Sequence, residues 1–306
     1  MTNSRRPASG QSAGEALRGL ATAGLPGIDG FRVELERYCA RAIEFRPVVT
    51  DSGAPPGLWL RTAAADYLYY ESQTSPFHQA HILFLLTGRL LLNEGSGITF
   101  DLRLVPDLSP EIARLILGDD TQIAGTEDED EAERLVFRAM EHAHRRLPGP
   151  AARRLLRQLR PLHAALLDAV PEAARPEVPG RPGPRVRLHQ AVIEIREAVL
   201  ALRPYVDPEL AAAARKVMHP ARLAGDEIAA AVEASVLAAA LRARASGPPV
   251  LAAGGVPGWQ HMPGPDLPSE AAWLVRVARA FDRDSLAGKA EASGLSALPG
   301  SPRKVS

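Results

Sequence analysis

One apolar segment constrains more than any other what this 306-residue chain can fold into. Twelve of the 17 residues between Ser75 and Asn93 are apolar, and they include the uninterrupted runs Ile82–Leu86 and Leu90–Leu92. Ser75 followed by Pro76 is typical of a helix start, because serine caps the first turn and proline fits the first helical position. A helix that is apolar on almost all sides has to be surrounded by other elements. We therefore predict a buried central helix over residues 75–93.

The most apolar part of this helix, Ile82–Leu92, is too short to cross a bilayer. A membrane-spanning helix needs about 20 apolar residues, and this stretch is interrupted by Thr87, Gly88 and Arg89. The N-terminus lacks the features of a signal peptide, and the one cysteine, Cys39, has no partner for an intramolecular disulfide. Lys+Arg and Asp+Glu both number 36, so net charge favours neither nucleic acid nor an anionic membrane. We expect a cytoplasmic protein with no membrane span.

The segments before the central helix predict a small α+β unit. From Ile28, apolar side chains recur at helical spacing as far as Phe45, and we predict that Pro47 ends this helix. Two short alternating segments, GLWL and ADYLYYE, follow between Gly57 and Glu71. Their alternation and the turn residues between them predict a hairpin or two edge strands.

The second half of the chain predicts helices only. The acidic run Glu127–Glu133 opens one, since negative charge in a first turn is favourable against the helix dipole. Amphipathic or apolar helical segments follow from Pro150 to Phe281, with a proline-rich linker at Pro171–Pro184. We predict a disordered leader (1–27), a small α+β domain (28–149), an all-helical domain (150–283) and a disordered tail (284–306). The expected fold class is mainly α.

The central helix and its flanks resemble the active-site region of ImmA/IrrE-type zinc peptidases of actinobacteria. The resemblance covers residues 31–147 and rests on the order and spacing of short segments: GLWL, DYLYYE, TSPFHQAHI, LVPDL and EDEAERL. In that family the helix carries HExxH, where two histidines bind zinc and the glutamate activates water. On this frame the two histidine positions are Leu85 and Arg89, and the glutamate position is Leu86. The resemblance therefore implies a zincin-like domain whose motif is degenerate.

The family's remaining zinc ligand is a glutamate in the EDEAERL segment. On the resemblance it corresponds to Glu131 or Glu133, and the two stay open as alternatives. Because Arg89 would lie where a ligand lay, we hypothesise that it pairs with one of these glutamates. Its charge would then stand in for that of the ion.

A displaced metal site is the alternative reading of the same region. His78 and His81 are spaced i, i+3, so both can face one metal, together with Glu71 or Glu131. In the resemblance, however, these histidines precede the motif and are not ligands. We therefore interpret them as capping or packing residues near the start of the central helix, and we expect no metal or other cofactor.

The helical half resembles an actinobacterial domain of unknown function, found after multi-helix membrane regions and in proteins encoded beside helix-turn-helix regulators. The resemblance covers residues 155–281, most clearly in RLHQAVIEIREAVLALRPY. We interpret its charged residues Glu194, Arg196, Glu197 and Arg203 as solvent-exposed and paired within the helix. The alternative is a polar contact surface or ligand pocket. The arginine-rich stretch over residues 145–160 is likewise interpreted as a solvated helix face, with phosphate contact as the alternative.

Together the two resemblances imply a non-catalytic pseudo-peptidase that acts as a regulatory or interaction protein, in the manner of a toxin–antitoxin component. Its expected partner is a helix-turn-helix transcriptional regulator or a similar protein, without direct contact to nucleic acid. The alternatives are a zinc metallopeptidase or toxin-like component with a displaced metal site, and an unrecognised enzyme activity in the helical domain. The sequence contains no P-loop, dinucleotide-binding fingerprint or nucleophile elbow.

Overall fold

The chain is seen in a computed structural model that describes residues 15–19, 27–50, 54–62, 64–92, 99–101, 122–124, 126–175, 181–206, 225–247 and 264–292. Over these residues the fold is mainly helical, with a three-stranded sheet and a pair of short strands. The predicted fold class, mainly α with a small α+β part, is confirmed. No helix in this part of the chain is long and apolar enough to span a bilayer.

The first unit begins with helix α1 (Gly27–Cys39) and the strands β1 (Ala42–Val48), β2 (Gly57–Arg61) and β3 (Ala65–Glu71). The sheet order is β1-β3-β2, with β1 parallel and β2 antiparallel to the central β3. The predicted hairpin is therefore confirmed as β2–β3. Two further strands, β4 (Thr99–Asp101) and β5 (Gln122–Ala124), form a separate parallel pair.

The helix predicted to continue from Ile28 to Phe45 is wrong in its second half. The helix ends at Cys39, and Ala40 adopts a left-handed φ of 51° that redirects the chain. The next residues form β1, whose apolar side chains at Ile43 and Phe45 also fit a helical spacing. Pro47 lies inside β1 rather than ending a helix, and it is tolerated there because β1 is an edge strand.

The predicted central helix is confirmed as α2 (Pro76–Leu92). Every residue from His81 to Leu90 is buried, and α2 packs on β2, β3 and helix α3 (Thr126–Ala143). The acidic run opens α3 as predicted. Gly88 allows the two helices to approach closely, because a Cβ at this position would lie 3.4 Å from the backbone oxygen of Ala132.

The second unit is helical throughout its described residues, as predicted. It contains α4 (Gly149–Ala169), α5 (Pro184–Ala201), α6 (Gly225–Ser246) and α7 (Leu267–Ala292). Short 3₁₀ turns lie at His144–Arg146, Pro171–Ala173 and Arg203–Tyr205. One buried apolar cluster joins all four helices, and Phe77 of α2 also packs into it. Helix α4 therefore belongs with the second unit.

The predicted domain boundaries stay predictions. Most of the expected disordered leader and tail lies outside the described residues. Residues 15–19 form a short helical segment whose Leu17 is buried in the first core, and α7 extends to Ala292. Within the predicted linker Pro171–Pro184, residues 176–180 lie outside the described part, whereas Ala173 is buried against the second core.

Candidate functional site

The three positions that the peptidase resemblance assigns to the HExxH motif lie in the interior of the protein. Leu85, Leu86 and Arg89 are only 9, 2 and 6 % exposed on α2. The two leucines offer no atom that can bind a metal, and a guanidinium is a permanent cation. Together with residues of the second unit, these side chains border a cavity of about 20 Å³, roughly the room that one water molecule needs. The helix face that resembles a catalytic centre is thus filled by packed side chains.

The predicted ion pair of Arg89 is not tested by the described contacts. Glu133 is buried on α3, which packs against α2, so this glutamate lies on the helix that the hypothesis requires. Its Oε1 accepts a hydrogen bond from Arg175 Nη1 at 3.5 Å. The side chain of Glu131 lies outside the described residues. The pairing of Arg89 with Glu131 or Glu133 stays a prediction.

His78 and His81 lie fully buried at the start of α2, where the chain meets the second unit. The N–H of His78 donates to Ser75 Oγ at 3.3 Å, which is the predicted serine cap. Both ring nitrogens of His78 are engaged, Nδ1 with Thr74 Oγ1 at 2.8 Å and Nε2 with Glu197 Oε1 at 3.2 Å. His78 thus acts as a connector between α2 and α5.

A carboxylate and a guanidinium from the second unit complete this contact. Arg175 Nη2 donates to Glu197 Oε1 at 2.6 Å. Burial alone would raise the pKa of Glu197, but the charge of Arg175 and the hydrogen bond from His78 outweigh it and lower the pKa to about 2. Glu197 is therefore ionised at neutral pH, and its charge is compensated inside the protein.

His81 begins a chain of three histidines that runs into the second unit. His81 Nδ1 lies 3.1 Å from His189 Nε2, and His189 Nδ1 lies 3.0 Å from His144 Nε2. The rings of Phe77 and Phe137 pack edge-on against His189, with centroids 5.1 and 5.4 Å away. Since a neutral imidazole has one donor and one acceptor nitrogen, all three rings can point their N–H groups in one direction along the chain.

The histidine chain is uncharged at neutral pH. Burial lowers the pKa of His81 and of His189 well below the ordinary value of 6.5, and it lowers the pKa of His144 to about 4. His81 Nε2 is buried beside the 20 Å³ cavity, and it has no hydrogen-bond partner among the residues that the structure describes. A water molecule in that cavity would satisfy it.

The described residues bring no third ligand to His78 and His81. Glu71 points elsewhere: its Oε2 accepts hydrogen bonds from the Thr50 N–H at 2.9 Å and from Arg203 Nη1 at 3.0 Å. The side chain of Glu131 lies outside the described part of the chain. Among the residues that are described, no group of three or more His, Cys, Asp or Glu side chains is arranged to hold a metal ion.

We name these buried contacts between the two units the interdomain polar network. Its members are His78, His81, Glu133, His144, Arg175, His189 and Glu197. The ion pair of Glu71 and Arg203 is separate from it. Sequence reasoning singled out its α2 members and Glu133, interpreted Glu197 as solvent-exposed, and missed His144, Arg175 and His189. The interpretation of the charged residues of α5 as solvent-exposed is wrong, since Glu197 joins the network and Arg196 is 3 % exposed. One signal was available: apart from one side that carries Arg187, Gln190, Glu194 and Glu197, apolar residues lie around most of α5, which is typical of a helix packed between neighbours.

Comparison with known proteins adds one similarity. Residues 149–284 match the model of a family of unknown function, DUF6545. The match contains helices α4 to α6, most of α7, and the network residues Arg175, His189 and Glu197. No curated protein and no solved structure matches the chain. The similarity covers nearly the same residues as the helical resemblance noted in the sequence, and the family's description names no chemistry.

Proposed function

We propose that this chain is a non-catalytic regulatory protein that acts by binding a protein partner. One observation carries the proposal: the motif positions Leu85, Leu86 and Arg89 are buried among packed side chains on α2. Hydrolysis by zinc requires several protein ligands, an open coordination position and a base that activates water. Two leucines and a guanidinium supply neither ligand nor base.

The interdomain polar network supports the same proposal. It joins α2, the helix that would carry the catalytic motif, to α5 of the second unit through buried hydrogen bonds. Such a contact holds the two units in one arrangement, and breaking it from one side is costly. A protein that is recognised by a partner needs a surface of defined shape. The network supports such a surface by fixing the two units, and this role requires no catalysis.

The partner that the two resemblances favour is a helix-turn-helix regulator in the cytoplasm. The ImmA/IrrE-type peptidases cleave or disarm a repressor. A relative without the catalytic residues would keep the binding of such a regulator and lose the cleavage. It would then act as a sensor or antagonist, with no direct contact to nucleic acid and no cofactor.

The direct test first sequences the neighbouring genes to find a helix-turn-helix regulator, and then combines that regulator with the purified chain. We expect a complex on size-exclusion chromatography with light scattering, and a regulator that stays intact on mass spectrometry. Cleavage of the regulator would overturn the non-catalytic part of the proposal. No complex with that regulator would overturn the proposed partner.

Metal analysis separates the proposal from the displaced zinc site. We expect no stoichiometric zinc in the purified chain by plasma emission. One zinc per chain that is lost in a His78→Ala/His81→Ala variant would establish the displaced site instead. A Leu85→His/Leu86→Glu/Arg89→His variant tests the resemblance itself, because restoring HExxH in the correct register should create zinc binding. A folded triple variant that binds no zinc would contradict the alignment.

A further inference from the structure

A concave surface on the second unit is lined by arginines that the proposed function does not use. It lies between α4 and α5, has a volume of about 740 Å³, and we name it the cationic groove. Arg153, Arg157 and Arg160 line it from α4, where the spacing i, i+4, i+7 puts them on one helix face. Arg187 lines it from α5. Four guanidinium groups therefore converge on one groove from two helices.

The charge of this groove is not balanced by its surroundings. The chain contains no acidic residue between Glu141 and Asp168, although its overall net charge is zero. The four arginines are exposed, and within the described part of the chain none of them forms an ion pair with an acidic side chain. Such a surface attracts anions.

Among the described residues, one acidic side chain borders the groove, and it already has hydrogen-bond partners. The side chain of Glu194 is 7 % exposed, and its Oε2 lies 2.6 Å from His163 Nε2. Its Oε1 accepts hydrogen bonds from Gln190 Nε2 at 3.0 Å and from the Arg175 N–H at 3.1 Å. These hydrogen bonds hold the Glu194 carboxylate in place. Its single negative charge stands against the four guanidinium groups, so the groove keeps an excess of positive charge.

The groove also has an apolar floor, where Leu156 is partly exposed and Leu159 and Ala191 lie buried beneath it, 0 and 6 % exposed. A surface that only kept the protein soluble would need no such floor. A volume of 740 Å³ is within the range of about 300–1,000 Å³ that is usual for small-molecule sites. Arginine forks bind phosphate groups through two parallel hydrogen bonds, which gives both affinity and orientation.

We propose that the cationic groove binds a small organic anion that carries two or more phosphate groups on an apolar or aromatic body. The phosphates lie against Arg153, Arg157, Arg160 and Arg187, and the body of the ligand covers the apolar floor. This site is independent of the partner proposed above. It borders the interdomain polar network, because Arg175 contacts Glu194 through its backbone and Glu197 through its side chain.

Isothermal titration calorimetry of the full chain at low salt tests the proposal, with inorganic tripolyphosphate and ATP as probes. We expect one binding site, weakening as salt is added, and tighter binding of ATP because only ATP has a body for the floor. Arg157→Gln and Arg187→Gln should each weaken binding about tenfold or more, since hydrogen bonds to charged groups are worth about 1.5–3 kcal/mol. Arg154→Gln is the matched control: it removes an exposed arginine of the same helix that does not line the groove.

Three results would overturn the proposal. The first is no binding of either probe by a folded chain. The second is binding that Arg154→Gln weakens as much as Arg157→Gln, which would mean unspecific attraction to the arginine-rich helix. The third is a clear preference for duplex DNA or for a poly-glutamate peptide over ATP, which would assign the groove to a macromolecule.

Discussion

Arg196 offers the sharpest test of how buried charge contributes to this fold. It lies in the core of the second unit, where Nε donates to Glu270 Oε1 at 2.5 Å and Nη1 donates to Glu233 Oε1 at 3.3 Å. Glu233 Oε2 also accepts from the indole N–H of Trp273 at 2.9 Å. The two carboxylates and the guanidinium are all 5 % exposed or less. The three charges therefore depend on one another rather than on water.

The perturbation is Arg196→Met, which keeps much of the volume and removes the cation. Breaking a buried pair from one side costs about 3–5 kcal/mol, because the remaining charge is left without compensation. Here two carboxylates would be left, so we expect at least the upper part of that range. For a unit of this size, such a loss lowers the melting temperature by roughly 10 °C or more.

Arg276 provides the matched control within the same unit. Its side chain is 47 % exposed and pairs with Asp226, which is 56 % exposed. Exposed pairs contribute about 0.2–1 kcal/mol, since water already stabilises both charges. Arg276→Met should therefore change the free energy of unfolding by less than about 1 kcal/mol.

The pH dependence of Arg196→Met has a defined sign. In the wild type, burial raises the pKa of Glu233, and the charge of Arg196 reduces that increase. Removing Arg196 should therefore raise the pKa of Glu233 further. A carboxyl group whose pKa is higher in the folded than in the unfolded state destabilises the fold as the pH rises through the folded value. The loss relative to the wild type should thus be larger at about pH 8 than at about pH 5.

Urea unfolding, followed by circular dichroism at both pH values, measures these quantities. Adding Glu233→Gln and Glu270→Gln to Arg196→Met should recover much of the stability, because the uncompensated charges are gone. The reasoning is refuted if Arg196→Met and Arg276→Met lose the same free energy, or if the loss in Arg196→Met shrinks as the pH rises.

Three further predictions concern the first unit and its contact with the second. Burial lowers the pKa of His144 to about 4, so the unfolded chain binds a proton there at a higher pH than the folded chain does. Lowering the pH from about 7 to about 4.5 should therefore reduce the free energy of unfolding by up to about 3 kcal/mol through His144. Urea midpoints measure this loss, and His144→Gln should make the free energy of unfolding depend less on pH. Gly57→Ala would put a Cβ 2.5 Å from a side-chain methyl group of α2 and should cost about 1–3 kcal/mol in thermal unfolding. Gly225→Ala is the control and should cost nothing, because no atom of the described residues lies within 4 Å of the added Cβ; equal losses would contradict this. Glu71→Gln removes the charged partner of Arg203, which is mostly buried, and should lower the free energy of unfolding in urea by about 3 kcal/mol. An unchanged urea midpoint would mean that this ion pair does not hold the two units together.

Local signals in the sequence were enough for most of the helices. The Ser75-Pro76 pair marks the start of α2. The apolar runs Ile82–Leu86 and Leu90–Leu92 predict that this helix is central. On α7, Trp273, Val277 and Phe281 recur at helical spacing, and all three side chains are buried. These features follow from periodicity and caps, which depend only on residues a few positions apart.

Strand β1 could not be predicted in the same way. Its apolar residues Ile43 and Phe45 fit the helical spacing that begins in α1, so the pattern alone favours one long helix. What decides the outcome is pairing with β3, whose residues lie more than 20 positions further along the chain. The backbone groups of Ala42–Val48 find their partners only when the sheet forms, and no local window contains that information.

In the candidate site as well, the sequence determined some features and the tertiary structure determined the others. Leu85, Leu86 and Arg89 lie on one helix, so the sequence by itself determined that these three positions offer neither a metal ligand nor a base. The interdomain polar network was decided by tertiary structure, because His81 and His189 are 108 residues apart and meet only when α5 packs beside α2. Burial then changes the character of these side chains: an imidazole or carboxylate that would be solvated on a surface has to find its partner inside the protein, and only the packed fold determines which partner that is.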